Sequence, residues 1–268
     1  MFRKIIKLFI PQLIIKLINY FLKRNIKIEK SFANWSEAIL SSGKYSNNKI
    51  FHKSKNSFLK VIRGKAVYER DSVLFFNKNL NLPLISLMER IRKKKKNKLL
   101  KVLDFGGSFG STYFQNREYF SDSTKYIWDI IEQKKIVNFA KKKIKMRNLF
   151  FYESLTGYIK KNKPDIVLFS SVLHYLESPF SVLSLLKKSN ISYFIILKTP
   201  FFNNKSEIKM QVNPSYIYKA NYPIRIFNEH LFKSFFIKWN YKIDKLNWEN
   251  QIIDDINFKS FFIKRIIN

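Results

Sequence analysis

The segment Lys101-Val-Leu-Asp-Phe-Gly-Gly-Ser-Phe-Gly-Ser111 constrains this chain more than any other. An apolar run carrying one acid leads directly into a cluster of glycine and serine. Glycine accepts backbone angles that a side chain forbids and leaves space for another molecule to approach the main chain. A strand, a small-residue turn and a helix in this order form the βα unit of an open α/β sheet, which binds ligands at the carboxyl ends of its strands. Apolar runs at residues 99–105, 126–131, 149–152, 166–170 and 193–197 are separated by segments long enough for crossover helices. That spacing predicts a parallel sheet with helices on both faces. A helix at 228–237 and runs at 241–248 and 258–266, joined by a turn around Asp254-Asp255, predict an antiparallel pair at one edge.

The turn selects among ligands. A dinucleotide site requires G-x-G-x-x-G, but counted from Gly106 the second glycine is replaced by Ser108 and the last arrives one residue early. A phosphate-binding P-loop fails too, since no Gly-Lys-Ser/Thr follows. The acidic-x-Gly-x-small-x-Gly turn of the methyltransferase fold fits, and there the loop holds the methionine part of S-adenosylmethionine. Glu132 closes the next apolar run, Tyr126-Ile-Trp-Asp-Ile-Ile-Glu132, 22 residues after Gly110. An acid at that distance accepts hydrogen bonds from ribose hydroxyls. The expected cofactor contacts are Asp104, Gly106, Gly107, Ser108, Gly110 and Glu132, with Glu153 and Ser154 near the adenine and Ser171 after the fourth strand. The expected fold class is α/β, Rossmann-like, with a mostly parallel seven-stranded sheet and an antiparallel edge.

Composition narrows the chemistry. The chain has no cysteine, which removes disulfides, thiolate zinc sites and cysteine nucleophiles. His52, His174 and His230 are too scattered to read as a metal motif. With 51 Lys+Arg against 19 Asp+Glu the net charge is +32, which raises nucleic acid or an anionic membrane as a partner. The same bias enriches Asn, Ile and Phe and depletes Gly and Pro, so A/T-rich codons account for much of it. The cytoplasm fits a cysteine-free chain.

The basic run Arg90-Ile-Arg-Lys-Lys-Lys-Lys-Asn-Lys98 precedes the strongest strand. It divides a mostly helical segment, residues 1–97, suited to capping a substrate, from a cofactor-binding domain, residues 98–268. Within the first 24 residues a helix starting at Pro11 carries a polar stripe of Gln12, Lys16, Asn19 and Lys23. Its wide apolar face predicts packing onto the domain, or alternatively peripheral contact with the inner face of a membrane. The apolar stretch is too interrupted to span a bilayer and lacks a small-residue cleavage site.

Taken together, the turn ending at Ser111, Trp128-Asp-Ile-Ile-Glu-Gln133, Ser170-Ser-Val-Leu-His-Tyr-Leu-Glu177, Lys198-Thr-Pro-Phe201 and Tyr68-Glu-Arg-Asp-Ser-Val-Leu-Phe75 resemble a bacterial methyltransferase family. Its members often occur in gene neighbourhoods for surface polysaccharide synthesis. The resemblance runs from about Trp35 to the C-terminus and implies methyl transfer without fixing the acceptor. It departs at Lys198, where an acid or arginine is expected.

Methyl transfer from a sulfonium is an in-line displacement, so a hydroxyl acceptor must be aligned and deprotonated. His174 follows the fourth strand and is the expected general base, with Tyr175 beside it and Glu177 a weaker candidate. Glu69, Arg70 and Asp71 form either part of the cap or a structural ion-pair cluster. Asn213-Pro-Ser-Tyr216 resembles the Asn-Pro-Pro-Tyr motif of nucleic-acid amino-methyltransferases, but it lies beyond the fifth strand and reads as a loop. The expected acceptor is a hydroxyl of a sugar or small metabolite, with glycan partners. The alternatives are an RNA or DNA methyltransferase and a non-catalytic binding protein.

Overall fold

The computed structural model describes residues 26–42, 48–96, 98–203, 205–213 and 220–266. The helix expected within residues 1–24 lies outside them. Among the described residues no helix is long and apolar enough to cross a membrane.

The sheet grows outward from the glycine-rich unit. Strand β4 (Leu100–Phe105) lies between β5 (Tyr126–Ile131) and β7 (Ile166–Ser170), all parallel. β6 (Leu149–Tyr152) flanks β5, and β8 (Tyr193–Phe202) flanks β7. The late hairpin, β11 (Tyr241–Ile253) and β12 (Ile256–Arg265), closes that side, β12 running antiparallel to β8. The side-by-side order is therefore β6-β5-β4-β7-β8-β12-β11.

Three further strands make the sheet ten-stranded, not seven-stranded: β1 (Lys27–Phe32), β9 (Glu207–Asn213) and β10 (Ala220–Asn228). β12 follows one edge of β8 from Tyr193 to Phe201. The other edge is held by β7 as far as Leu197, and β10 pairs parallel with Phe201 and Phe202. β10 therefore takes the edge of β8 that β7 vacates, just beyond the carboxyl end of β7. β9 and then β1 add antiparallel to it. The bend falls at Lys198, whose φ is 50° and which sits opposite a register shift in β12 between Lys259 and Phe261. A bulge of this kind bends a strand locally, and the Lys198 amide donates to Ser260 Oγ at 3.1 Å.

Helix outweighs strand in the described residues before residue 98. The segment holds α1 (Trp35–Leu40), α2 (Asn48–Ile62) and α3 (Leu82–Lys94), but also β1 and a hairpin, β2 (Tyr68–Arg70) with β3 (Val73–Phe75). Leu84 and Met88 of α3 share one core cluster with Val102 and Trp128, so residues on both sides of the expected boundary pack together. The remaining helices are α4 (Ser111–Gln115), α5 (Arg117–Phe120), α6 (Lys134–Lys143), α7 (Leu155–Lys161), α8 (Pro179–Lys188) and α9 (Glu229–Ile237). A second cluster joins Leu103, Phe169 and Ile196 of the sheet to Leu183, Phe232 and Phe236 of α8 and α9. The parallel strands are thus buried on both faces, which is why they read as continuous apolar runs.

Candidate functional site

The carboxyl ends of β4, β5 and β7 open into a cavity of roughly 1000 Å³. That lies at the top of the usual range of about 300–1000 Å³ for small-molecule sites. The glycine turn, the β2–β3 hairpin and the β9–β10 extension all contribute to its wall.

At the turn, Gly106 has φ +72°, and a Cβ there would approach Val172 Cγ2 to 2.4 Å. A Cβ on Gly107 would meet the Asp104 carboxyl at 2.6 Å. The two glycines let the main chain pass between the side chains beneath and beside it. Ser108 follows with φ 54°, and its amide donates to Glu132 Oε1 at 3.1 Å. The Gln133 amide donates to Glu132 Oε2 at 2.7 Å. Burial raises the pKa of Glu132, and these two hydrogen bonds oppose the rise. Glu153, just past β6, Ser170, the last residue of β7, and Ser171, which follows it, also line the cavity.

Asp104, Gly110 and Ser154, expected to touch the cofactor, lie off the cavity wall. Asp104 is fully buried beneath Gly107 and accepts from Trp128 Nε1 at 3.2 Å. Desolvation pushes its pKa up to about 7, and its Oδ1 has no hydrogen-bond partner. Gly110 faces Ile130 and Leu149 in the core. Ser154 caps α7, its Oγ accepting from the Gly157 amide at 3.0 Å. Position in the sequence placed each near the ligand, and the pleat or helix cap turned it elsewhere. Gly106, Gly107, Ser108, Glu132, Glu153 and Ser171 are all on the wall.

His174 and Tyr175 lie in a short 3₁₀ helix, Leu173–Tyr175, at the base of the chamber. His174 is 1% exposed. Desolvation lowers its pKa to about 3, and its Nδ1 is buried without a partner. It is a neutral wall residue packed on Tyr175 and Phe258, with ring centroids at 4.0 and 6.0 Å. The pH limb near 6.5 expected for an unperturbed histidine does not belong to this environment.

The extension contributes groups that the sequence did not single out. Tyr175 Oη donates to Gln211 Oε1 at 3.1 Å, and Gln211 Nε2 donates to Asn213 Oδ1 at 2.9 Å and to Tyr222 Oη at 3.1 Å. The Asn213 amide also bonds Tyr222 Oη. Asn213, read as part of a loop, ends β9 and faces the cavity; residues 214–219 lie outside the described ones. Only the antiparallel pairing of β9 and β10 brings these residues together, and no motif marks it.

The hairpin supplies Arg70 and Asp71 to the wall. Glu69, by contrast, is buried, accepting from Ser111 Oγ at 2.8 Å and from the Ser72 amide at 3.1 Å. Desolvation raises its pKa to about 7. It thereby ties the hairpin to the first turn of the helix that follows the glycine loop. Lys198 reaches the chamber from the bulge in β8.

The donor set suits a cationic sulfonium carrying a ribose diol better than a pyrophosphate. The glycine end presents the carboxylates Glu132 and Glu153, while the cations on the wall, Arg70 and Lys198, come from the hairpin and β8. Among the described residues no group of three or more His, Cys, Asp or Glu is arranged to hold a metal.

The fold is the Rossmann-like methyltransferase fold. It is similar to the N-terminal domain of EvdMO1 crystallised with S-adenosylhomocysteine and D-fucose: TM-score 0.52, 9% identity, covering 83% of this chain and 98% of that one. The same domain with S-adenosylhomocysteine alone gives TM-score 0.51 and 9% identity, covering 81% and 97%. The magnesium protoporphyrin IX methyltransferase of Synechocystis PCC 6803 with bound S-adenosylmethionine has TM-score 0.46 and 11% identity, covering 84% and 87%. No protein-family model matches the chain, and no curated protein matches it in sequence.

Proposed function

We propose that the chain is an S-adenosylmethionine-dependent methyltransferase acting on a hydroxyl of a sugar or similar small polyhydroxylated metabolite, in cell-surface polysaccharide synthesis. The observation that carries this reading is a single cavity that joins the glycine turn and Glu132 to a chamber lined by amide, hydroxyl and aromatic side chains. Glu132 would accept from the ribose hydroxyls, the backbone at Gly106–Ser108 would cradle the methionine portion, and Glu153 would lie near the adenine. The bound cofactor supplies an electrophilic methyl group. The chain's part is to hold the acceptor in line with that methyl, exclude water and receive the hydroxyl proton. Gln211, Asn213 and Tyr222 offer donors and acceptors in the pattern a ring of hydroxyls demands, and Tyr175 and Phe258 offer apolar faces for its C–H surface. The similar EvdMO1 domain was crystallised in the presence of D-fucose, which supports an acceptor of this class. Trp35, Arg70 and Asp71, which line the cavity, would let residues 26–96 act as a cap over the acceptor.

The test uses the purified chain, methyl-tritiated S-adenosylmethionine and a panel of hexoses, 6-deoxyhexoses and their nucleotide conjugates. The expected result is label in an alkali-stable ether on at least one sugar, with S-adenosylhomocysteine formed in equal amount. Transfer only to an alkali-labile ester, or to no sugar, would contradict the hydroxyl reading.

A further inference from the structure

We infer that Asp71, and not His174, is the residue that takes the proton from the acceptor hydroxyl. This rests on the methyltransferase reading above and names the catalytic group within it.

The placement begins with a turn. Arg70 pairs with Val73 across β2 and β3, leaving Asp71 and Ser72 as a two-residue connection with φ 50° and 66°. Positive φ at both central positions defines a type I′ turn, whose geometry fixes the direction of its first side chain. The turn is anchored by the buried Glu69, which accepts from the Ser72 amide and from Ser111 Oγ. The Asp71 tip is thereby held against the helix that starts at the cofactor loop. Asp71 lines the same cavity as Gly106 and Glu132.

The two candidates differ in access. His174 is almost wholly buried, and its Nδ1 is out of contact with solvent and unpaired. Asp71 is accessible from within the cavity, although the surrounding walls strip away much of its bulk water. That desolvation raises its pKa, and the nearby cations Arg70 on β2 and Lys198 on β8 pull it back. Glu69, also on β2, is a further charged neighbour. A carboxylate above its ordinary range is a stronger base than a free one, while an imidazole with a pKa near 3 is a poor one.

In the step, a lone pair of the acceptor oxygen forms the new C–O bond as the methyl–sulfur bond breaks, its electron pair passing to sulfur. The hydroxyl proton passes to the Asp71 carboxylate and then to solvent. The charges balance: the sulfonium becomes a neutral thioether and one proton is released.

Asp71→Asn is a clean test, because asparagine is among the residues best tolerated in the first position of a type I′ turn. The carboxyl ¹³C resonance of Asp71 in the cofactor-free protein, assigned by its loss in D71N, should titrate above the ordinary value of about 3.9. Lys198→Met should move that titration higher still. With the sugar panel, D71N should lower kcat by about 10²–10⁴, leave the S-adenosylmethionine Kd within two-fold by calorimetry, and abolish the fall in turnover at low pH. Near-normal kcat in D71N, or an acidic limb that survives D71N and disappears in H174A, would overturn the assignment. A wild-type protein that binds S-adenosylmethionine but methylates no sugar would overturn it too while sparing the cofactor reading. Failure to bind the cofactor would remove both.

Discussion

At the scale of single residues, carboxyl groups carry the account, and environment separates their roles. If Glu132 holds the cofactor hydroxyls as proposed, Glu132→Ala should weaken S-adenosylmethionine binding by more than ten-fold. Each hydrogen bond to a charged group is worth about 1.5–3 kcal/mol. An unchanged Kd by calorimetry would reduce Glu132 to a support for the Ser108 and Gln133 amides. Asp104 supports the loop from below and carries a cost at neutral pH. Its folded pKa, about 7, lies above the ordinary carboxylate value, so the folded chain holds the proton more tightly than the unfolded one. Its contribution is complete below pH 4 and is lost as pH rises through 7. Asp104→Asn keeps an acceptor for Trp128 Nε1 and removes the titration. In cofactor-free urea unfolding the variant should therefore gain on the wild type between pH 5 and pH 8, by on the order of 2–3 kcal/mol. A constant difference between the two proteins across that range would mean Asp104 is ionised throughout. Gly106→Val is a poor probe of the ligand, because its side chain would strike Val172 before reaching the cavity.

At the scale of elements, the strands of the parallel sheet were legible because burial on both faces leaves uninterrupted apolar runs. The expected runs at 126–131, 149–152 and 166–170 coincide with β5, β6 and β7. β8 was expected to stop at 197 but continues to Phe202, since the Lys198 bulge re-aims the strand without ending it. The extension β1, β9 and β10 was not read at all. β9 and β10 alternate polar and apolar residues over short stretches, and β1 is separated from its partner β9 by most of the chain. The Asp71-Ser72 turn had little local signal, because Glu69 and Arg70 before it break the apolar pattern and Asp-Ser is a weak form of the two-residue turn. The extension makes its own prediction. Gln211→Leu breaks the Tyr175–Gln211–Tyr222 network, so it should raise the KM for a sugar acceptor by about ten-fold or more and leave cofactor affinity unchanged. Equal losses in both would show that β9 supports the fold and not acceptor recognition.

At the scale of the whole molecule, the chain carries a large excess of basic residues, while the proposed cofactor site presents the carboxylates of Glu132 and Glu153. Retention on RNA should therefore fall steeply with salt, as phosphate contacts release counterions. RNA should take up no label from methyl-tritiated S-adenosylmethionine; base methylation that survives high salt would favour the nucleic-acid alternative. The central claim, that the turn at Gly106–Gly110 and the acid at Glu132 form a sulfonium-nucleoside site, is tested most directly by titrating the purified chain with S-adenosylmethionine and, separately, with NAD in a calorimeter. The account predicts saturable one-to-one binding of S-adenosylmethionine and no heat from NAD. Binding of NAD with none of S-adenosylmethionine would contradict it.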